Sequence, residues 1–289
     1  MSYTRLRYHL VMATENHQEL LTPQVNAILY PALQKKALDN GGKLLKIGGR
    51  KDHVHTVAWI PRTVAVTDFV CELKEGSSQA INKSGLVTEE FHWQKGYGAL
   101  SLNPFQLRPV LRYVADQETH HKNGTLWPEY ERARCDPSQL TVSEDMADES
   151  QMSYTCLRYH LTTGTKMREM LLTPAVEAIL YPALHKKALD IGCRLLEANG
   201  AEDHMHLIAV IQPTISVADF MRILKTDCSA AIKRSRLIRG KFNWQDGYGG
   251  FTLEAFNLNA VRYYVINQKE HHKSKNLWPG YEKTSGDNQ

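Results

Sequence analysis

The sequence predicts an α+β protein built from two ferredoxin-like domains, each an antiparallel sheet with helices packed on it. Three observations support this prediction. The first half of the chain returns in the second half, strand-like and helix-like segments follow a βαββαβ order in each half, and a tyrosine-bearing helix ends each half. With 289 residues, of which 42% are hydrophobic, the chain is long enough to bury two ordinary cores.

The repeat runs without insertion or deletion. MSYTRLRYHL at the start of the chain returns as MSYTCLRYHL, and AILYPALQKKALD returns as AILYPALHKKALD. Matched positions such as His53 and His204 are 151 residues apart throughout. The sequence therefore indicates a tandem duplication of one domain.

The segment between the copies differs from both in composition. Residues 134–151 contain five acidic residues and one basic residue, which is typical of a solvated linker. We therefore expect a first domain at 1–133 and a second at 152–284, with a linker long enough to let them pair as a pseudo-dimer within the chain. Since the net charge of the chain is +4, the basic excess lies in the domains and suits a polyanionic partner.

The cysteine spacing and the hydropathy of the sequence indicate the cellular compartment in which the protein is expected. The five cysteines form no CxxC pair, so neither a disulfide framework nor a cysteine-rich zinc site is indicated. The N-terminus lacks a signal-peptide layout, and no run of about 18 apolar residues is present to cross a bilayer. We expect a soluble, cytoplasmic protein.

The first copy opens with a strand at residues 6–14, where strand-favouring residues predominate. Thr22 and Pro23 then mark the start of a helix, because threonine caps helices and proline is tolerated in the first turn. This helix should end at residue 39, and Pro31 inside it can introduce a kink.

Two short apolar runs at residues 43–49 and 53–61 follow, and the polar GGRKD between them indicates a hairpin. A second helix is expected at about 66–83, followed by a short strand-like run at 99–102. A final helix should span about 107–121.

Paired histidines lie on the second strand of this hairpin in both copies: His53 with His55, and His204 with His206. Side chains two positions apart on a strand point to the same face, so both imidazoles can bind one metal ion. A polar strand face would give the same pattern. Retention of the pair in both copies favours the metal site.

The final helix carries Tyr113 and Gln117, repeated as Tyr264 and Gln268. A spacing of four places both groups on one helical face, as a nucleophile beside a metal ligand would require. The alternative is a half-buried tyrosine anchor with a solvated glutamine. Two histidines follow near each helix end, where they can complement the helix dipole or contact phosphate. They are His120, His121, His271 and His272.

Several further motifs occur in one order in each copy. The first copy has YHLV, GGRKDHVH, LKEGSS, WQKGYG and YVADQETHH, and the second has EDHMH, LKTDCS, WQDGYG and YVINQKEHH. In this ordered set both copies resemble the single-tyrosine HUH transposases, the insertion-sequence-200-like family that includes the REP-associated tyrosine transposases.

The resemblance implies a nuclease and strand transferase that acts on single-stranded DNA with Mg²⁺ or Mn²⁺, and it leaves open whether that DNA forms a hairpin. Tyr113 and Tyr264 would attack the scissile phosphate and form a 5′-phosphotyrosine link. The implied metal ligands are His53, His55, Gln117, His204, His206 and Gln268. The candidate DNA-binding residues are Lys74, Trp93, Tyr97, His121, Lys225, Trp244, Tyr248 and His272. The four aromatic side chains among them could equally pack in the hydrophobic core.

The resemblance also raises the question of which residues share a site. Family members work as dimers, often with the histidine pair of one subunit and the tyrosine helix of the other in each active site. In that arrangement His53 and His55 would serve Tyr264, and the second histidine pair would serve Tyr113.

Two other functions stay open. One is a domesticated DNA-binding or regulatory protein that keeps the fold without transposition. The segments ATENHQ and TTGTKM favour it, because the family usually carries a basic segment there. The other is a metal hydrolase that uses activated water, with a structural tyrosine.

Overall fold

The computed structural model describes residues 2–133 and 153–284, so the predicted linker at 134–151 lies outside the described residues. The chain divides into two compact units. The first-repeat unit is Leu6–Cys156, and the second-repeat unit is Leu157–Gln289 together with Met1–Arg5. Each unit thus combines one repeat with the first residues of the other.

Strands and helices alternate in the same order in both units. The strands of the described residues are β1 (Tyr3–Arg5), β2 (Tyr8–Ala13), β3 (Lys43–Gly49), β4 (His53–Trp59), β5 (Gly98–Ser101), β6 (Tyr154–Cys156), β7 (Arg158–Gly164), β8 (Arg194–Ala201), β9 (His204–Val210) and β10 (Gly249–Leu253). The helices are α1 (Pro23–Asp39), α2 (Val66–Ser84), α3 (Arg108–Ala115), α4 (Gln117–Asn123), α5 (Pro174–Asp190), α6 (Val217–Ser235), α7 (Leu258–Ile266) and α8 (Gln268–Ser274).

Each unit contains one five-stranded sheet. The strand order is β3-β4-β2-β5-β6 in the first-repeat unit and β8-β9-β7-β10-β1 in the second-repeat unit. The first four strands of each order pair antiparallel and arise from a βαββαβ succession. This confirms the predicted α+β class with two ferredoxin-like domains.

The fifth strand of each sheet comes from the other repeat. β6 pairs parallel with β5, and β1 pairs parallel with β10. These short strands cover the otherwise open edge of β5 and of β10, which satisfies backbone groups that an edge strand leaves unpaired. Sequence patterns did not predict them, because three residues are too few to show a strand periodicity.

The first helix follows its sequence signals closely. Thr22 Oγ1 accepts a hydrogen bond from the Val25 backbone N–H at 3.3 Å, and Pro23 occupies the first turn. The helix continues through Pro31 to Asp39. Buried residues recur every four positions, as expected for a helix with one face on a core. They are Val25, Leu29, Leu33 and Ala37.

The final helix is not continuous as predicted. It is divided into α3 and α4 at Asp116, whose φ of −107° and ψ of 25° are not helical. Asn267 separates α7 from α8 with nearly the same angles, φ −97° and ψ 19°. Asp and Asn are poor helix formers, because their side chains compete for backbone hydrogen bonds. Among the helices of the described residues, none has the length and apolar character needed to cross a bilayer.

Candidate metal centre and tyrosine site

The paired histidines of the first repeat lie on β4, the strand between β3 and β2. His55 is fully buried, and the side chain of His53 is 12% exposed. The ring of His53 is held through Nδ1 by Asp52 Oδ1 at 2.8 Å, and that of His55 through Nδ1 by His9 Nε2 at 3.0 Å. Both rings therefore have Nε2 available on the side away from these contacts.

Two residues outside the predicted ligand pair complete a cluster with these histidines. Oε2 of Glu131 lies 3.7 Å from Nε2 of His53, 3.4 Å from Nε2 of His55 and 3.2 Å from Nε2 of His121. One ligand atom from each of the four residues lies within 4.8 Å of all the others. The group could hold a metal ion.

The polar atoms of this cluster support that interpretation. The Nε2 atoms of the three histidines and Oε1 of Gln117 are buried and make no hydrogen bond to any described residue. Buried polar atoms normally have a hydrogen-bond partner, and imidazole nitrogens grouped around a carboxylate are the donor set that divalent metal ions bind. The residues therefore fit a metal ion.

Tyr113 lies on α3 and joins the same cluster. Its hydroxyl donates a hydrogen bond to Oε1 of Glu131 and accepts one from the Trp127 backbone N–H at 3.1 Å. The indole of Trp127 stacks on the phenol ring with centroids 4.5 Å apart. Burial, together with the hydrogen bond to Glu131, raises the pKa of Tyr113 to about 12. One carboxylate thus bridges the tyrosine hydroxyl and the histidine nitrogens.

Gln117, the predicted third ligand, begins α4 and is buried beside this carboxylate. Its Nε2 lies 3.5 Å from Oε1 of Glu131 and 3.4 Å from the Tyr113 carbonyl oxygen. The four-residue spacing therefore brings the phenol and the amide to one site, even though the helix is interrupted between them.

Burial and charge act in opposite directions on Glu131. Burial alone would raise the pKa of this carboxyl group, but the adjacent imidazole of His55, the hydrogen bond from Tyr113 and the charge of His53 lower it to about 2. Glu131 is therefore ionised over the physiological pH range, and it provides the negative charge of the site.

The second repeat contains the same cluster at matched positions. Oε2 of Glu282 lies 3.4 Å from Nε2 of His204 and 3.7 Å from Nε2 of His272, and Oε1 lies 3.5 Å from Nε2 of His206. The Tyr264 hydroxyl donates to Oε1 of Glu282, and Gln268 is again adjacent. Since every one of these residues has its counterpart 151 positions earlier, the cluster is a property of the repeat.

The exchanged arrangement suggested by the resemblance is wrong for this structure. Tyr113 contacts the histidine cluster of its own repeat: its ring lies edge-on to that of His55 with centroids 6.2 Å apart. Tyr264 stands in the same relation to His206, also at 6.2 Å. The hairpin and the tyrosine helix of one repeat belong to one unit, so each site forms from one repeat.

The four predicted stacking rings lie mainly inside the core. Tyr97, Trp244 and Tyr248 are each less than 9% exposed, and Tyr97 Oη is 2.8 Å from Thr67 Oγ1. Trp93 is half-buried and donates from Nε1 to Ser77 Oγ at 3.0 Å. These positions match the alternative in which the rings pack in the hydrophobic core. Base stacking by these rings stays a prediction.

The two predicted DNA-binding lysines are engaged within their own repeats. Lys74 donates to the carbonyl oxygens of Gln94 and Gly96, and Lys225 donates to those of Gln245 and Gly247. Each lysine thereby anchors the glycine-containing loop that follows the second helix of its repeat. Contacts with DNA from these lysines stay a prediction. Of the two histidines also predicted to bind DNA, His121 lies in the first histidine–glutamate cluster, and His272 adjoins the second, with Nε2 3.7 Å from Glu282 Oε2.

Sequence reasoning missed the glutamates and the histidines on the first strands. Glu131 and Glu282 end the motif WPxYE, which occurs in both repeats at the 151-residue offset, and His9 and His160 lie in the shared LRYHL segment. His160 contacts His206 at 2.9 Å, as His9 contacts His55. The repeat itself therefore contained the signal: an acid or histidine retained in both copies.

Each unit thus combines a ferredoxin-like sheet, an HxH strand, an adjoining carboxylate and a buried tyrosine. A sequence model described as transposase, IS200 like, matches residues 2–117 and again residues 153–268. These matches span most of the chain, which therefore belongs to the IS200-like transposase family.

Solved structures show similarity over one repeat length. A Deinococcus radiodurans R1 protein described as a transposase is 25% identical over 40% of this chain and 93% of that chain, with a TM-score of 0.33. A REP-associated tyrosine transposase bound to a REP hairpin is 15% identical over 40% of this chain and 68% of that chain, with a TM-score of 0.34. Among curated proteins, none matches the sequence significantly.

Proposed function

We propose that this transposase-family chain cleaves and rejoins single-stranded DNA through a tyrosine nucleophile, with one active site in each repeat. The observation that carries the proposal is the bridging carboxylate. In each repeat it accepts a hydrogen bond from a buried tyrosine hydroxyl and also faces three histidine nitrogens. A structural tyrosine needs no such cluster, whereas a nucleophile with a high pKa needs both a proton acceptor and a nearby cation.

The proposed reaction begins at the Tyr113 hydroxyl. Oη forms a bond to the scissile phosphorus while the bond from phosphorus to the 3′-oxygen of the preceding nucleotide breaks. The phenolic proton passes to Glu131, which already accepts its hydrogen bond, and the departing oxygen takes a proton from a solvent water to become a 3′-hydroxyl group. Glu131 then gives its proton to the hydroxide so formed, which restores the carboxylate. The product is a 5′-phosphotyrosine link. A second 3′-hydroxyl can then attack this link and rejoin strands without a nucleotide cofactor.

The residues proposed to hold a divalent ion are His53 and His55, with Gln117 beside them, and their counterparts in the second repeat. Such an ion, Mg²⁺ or Mn²⁺ by the family resemblance, would supply positive charge that polarises a phosphoryl oxygen and favours the phenolate form of tyrosine. Trp127 keeps the phenol ring in place by stacking, and its N–H holds the hydroxyl oriented toward the carboxylate. The chain's own contacts thus position the nucleophile before DNA binds.

The proposal is tested by a covalent adduct. The full-length protein is incubated with a labelled library of single-stranded hairpins and Mg²⁺ or Mn²⁺, and denaturing gels are searched for protein–DNA bands. We expect an adduct that persists in Tyr113→Phe and in Tyr264→Phe but is absent from the double variant. Tyr263→Phe is the matched control, because Tyr263 is 69% exposed beside Tyr264 and lies outside the cluster.

The alternatives predict different results. Cleavage without an adduct would favour a hydrolase that uses activated water. Binding of many library members without cleavage would favour a domesticated DNA-binding protein. Either result would contradict the proposed tyrosine mechanism.

A further inference from the structure

The ligand atoms in each repeat have a chemical composition that selects among metal ions. The first cluster presents three imidazole nitrogens and one carboxylate, from His53, His55, His121 and Glu131. In the second repeat His204, His206 and Glu282 form the matching group, and Nε2 of His272, the counterpart of His121, adjoins it 3.7 Å from Glu282 Oε2. Mg²⁺ prefers oxygen ligands and retains several waters, whereas imidazole favours first-row transition ions. A nitrogen-rich set therefore disagrees with Mg²⁺ as the preferred ion.

The spacing of these atoms also indicates a coordination number. Two ligands of a tetrahedral ion with bonds of about 2.1 Å lie about 3.4 Å apart. The histidine–glutamate distances are 3.2–3.7 Å in the first repeat and 3.4–3.7 Å in the second. Nε2 of His204 and Nε2 of His272 are 3.1 Å apart. These distances lie near the tetrahedral value in both repeats, although in the second repeat His272 stands outside the group whose ligand atoms all lie within 4.8 Å of one another.

Contacts on the far side of the imidazoles support ligation through Nε2. Asp52 Oδ1 lies 2.8 Å from His53 Nδ1, and Asp203 Oδ1 lies 2.6 Å from His204 Nδ1. A carboxylate at Nδ1 fixes the proton there and leaves Nε2 as the electron-pair donor, the arrangement found behind metal-bound histidines. Because this contact recurs in both repeats, the rings are oriented for a metal before it binds.

We infer that each repeat binds a first-row transition ion, Zn²⁺ or Co²⁺ in preference to Mg²⁺, in a four-ligand site of three histidines and one glutamate. His121 and His272 are direct ligands in this inference, and Gln117 and Gln268 act next to the glutamates. The inference deepens the proposed function, on which its catalytic meaning rests, but metal binding can be measured without DNA.

Cobalt titration tests the inference on the metal-free, full-length protein. Four-coordinate Co²⁺ absorbs visible light far more strongly than six-coordinate Co²⁺. We expect two Co²⁺ ions per chain, one for each cluster, with the intense absorption of four-coordination. Zn²⁺ should remove the absorption at stoichiometric amounts, and a large molar excess of Mg²⁺ should leave it unchanged.

Substitutions separate the direct ligands from their neighbours. His121→Ala should lower the Co²⁺ affinity of the first site by more than the 10–100-fold that removal of a residue contacting only a ligand typically causes. His272→Ala should lower the Co²⁺ affinity of the second site to the same extent. Glu131→Gln should lower the Co²⁺ affinity of the first site by a similar factor. Gln117→Ala should leave the intense Co²⁺ absorption of both sites intact. The control is His185→Ala, which removes an exposed histidine distant in sequence from both clusters.

Several results would overturn the inference. These are weak absorption of the six-coordinate kind, displacement of Co²⁺ by Mg²⁺, or loss of the first site in Gln117→Ala but not in His121→Ala. Thermal unfolding of the metal-free variants identifies any that fail to fold; the side chain of His121 is 19% exposed, so its truncation leaves the core intact.

The inference and the proposed function can fail separately. Intense Co²⁺ absorption without a DNA adduct under any metal would leave the metal site standing and contradict strand transfer. An adduct formed with Mg²⁺ alone, and undiminished in the double variant His121→Ala with His272→Ala, would support strand transfer and contradict the four-ligand site.

Discussion

His53 and His204 occupy the same place in the two repeats, yet their electrostatic surroundings differ. Burial and the neighbouring His55 lower the pKa of His53 to about 4. Burial also acts to lower the pKa of His204, but hydrogen bonds to Asp203 and Glu282 outweigh it, so this pKa is raised above its ordinary value. In the metal-free protein the His204 imidazole therefore keeps a proton to a higher pH than the His53 imidazole does.

The acid behind each histidine explains part of the difference. Asp52 is contacted by His17 at 3.3 Å, whereas Asp203 forms an ion pair with Arg168, whose Nε lies 2.8 Å away. The side chain of His204 is 1% exposed, against 12% for His53. The two repeats thus have the same candidate ligands, but the contacts of the aspartates behind them differ. The two sites can therefore differ in metal affinity without any change of ligand.

The largest expected effect concerns the bridging glutamates, and it tests whether the two sites are independent. Glu131→Gln should reduce formation of the Tyr113 adduct by about 100-fold or more, because the nucleophile loses its proton acceptor. The adduct at Tyr264 should be unchanged, and Glu282→Gln should give the reverse pattern. Each glutamate variant is measured in Tyr113→Phe and Tyr264→Phe backgrounds, so that gel bands report one site at a time.

Glu129 provides the control for this comparison. It is exposed two residues before Glu131, and glycine replaces it at the matched position 280. Glu129→Gln should leave both adducts intact. Loss of both adducts in Glu131→Gln alone would show that the sites are coupled and would break the comparison.

The tyrosine helix packs differently on the hairpins of the two repeats. A Cβ added at Gly48 would lie 1.8 Å from the Val114 carbonyl oxygen on α3, whereas the matched residue, Asn199, donates from Nδ2 to the Ile266 carbonyl oxygen at 2.6 Å. Gly48→Ala should therefore destabilise the first-repeat unit by roughly 1–3 kcal/mol, because backbone must move to relieve the overlap. Asn199→Ala should cost about 1 kcal/mol, the contribution of one hydrogen bond.

Thermal unfolding distinguishes the two variants. A unit of this size loses about 2–4 °C in melting temperature for each kcal/mol, so Gly48→Ala should lower the first-repeat transition by several degrees. Equal shifts for both variants would mean that the tyrosine helix packs alike on both hairpins, contrary to the structure.

A third prediction uses the buried lysines. Burial lowers the pKa of Lys74 to about 8, so between about pH 8 and the ordinary lysine value of about 10.4 the unfolded chain holds a proton that the folded chain lacks. Stability attributable to Lys74 should therefore rise with pH across this window. The free energy of unfolding in urea, measured at pH 8 and pH 10, should increase for the wild type relative to Lys74→Met.

The matched lysine provides the comparison. Burial also lowers the pKa of Lys225, but Asp246 opposes this shift, and the first repeat has Lys95 at that position. Lys95→Asp should therefore flatten the pH dependence attributed to Lys74. A dependence unaffected by Lys95→Asp would exclude the loop charge as the source of the difference.

Local signals and duplication together account for the parts of the fold and site that the sequence predicted. Thr22 with Pro23 fixed the start of the first helix, and the period of two placed His53 and His55 on one face. Glu131 escaped prediction because it lies in a short motif after the last helix, where neither periodicity nor a known spacing relates it to β4. Its position depends on tertiary packing of the Trp127 segment against Tyr113.

The exchange of β1 and β6 could not be read from the sequence for a related reason. The segments that begin the two repeats differ only at Arg5 and Cys156, so either could pair with its own sheet or with that of the other repeat. Local propensity is the same for both choices. The interruption at Asp116 was missed because a single poor helix former is commonly tolerated within a helix, and packing decides whether it breaks.

The smallest expected effect concerns a difference between the two cores, in which Cys228 of the second repeat stands where the first repeat has Ser77. Trp93 Nε1 donates to Ser77 Oγ at 3.0 Å, and the matched position to Ser77 holds Cys228, which is fully buried beneath Trp244. Because a thiol is a weaker acceptor than a hydroxyl, Ser77→Cys should destabilise the first-repeat unit by about 0.5–1.5 kcal/mol, and Cys228→Ser should stabilise the second by a similar or smaller amount. Melting temperatures of the two single variants and of the double variant measure both effects. If Cys228→Ser destabilises its unit, the core of the second repeat has repacked around the thiol. The cysteine at position 228 then stabilises that core, and the serine–tryptophan hydrogen bond of the first repeat is not simply missing there.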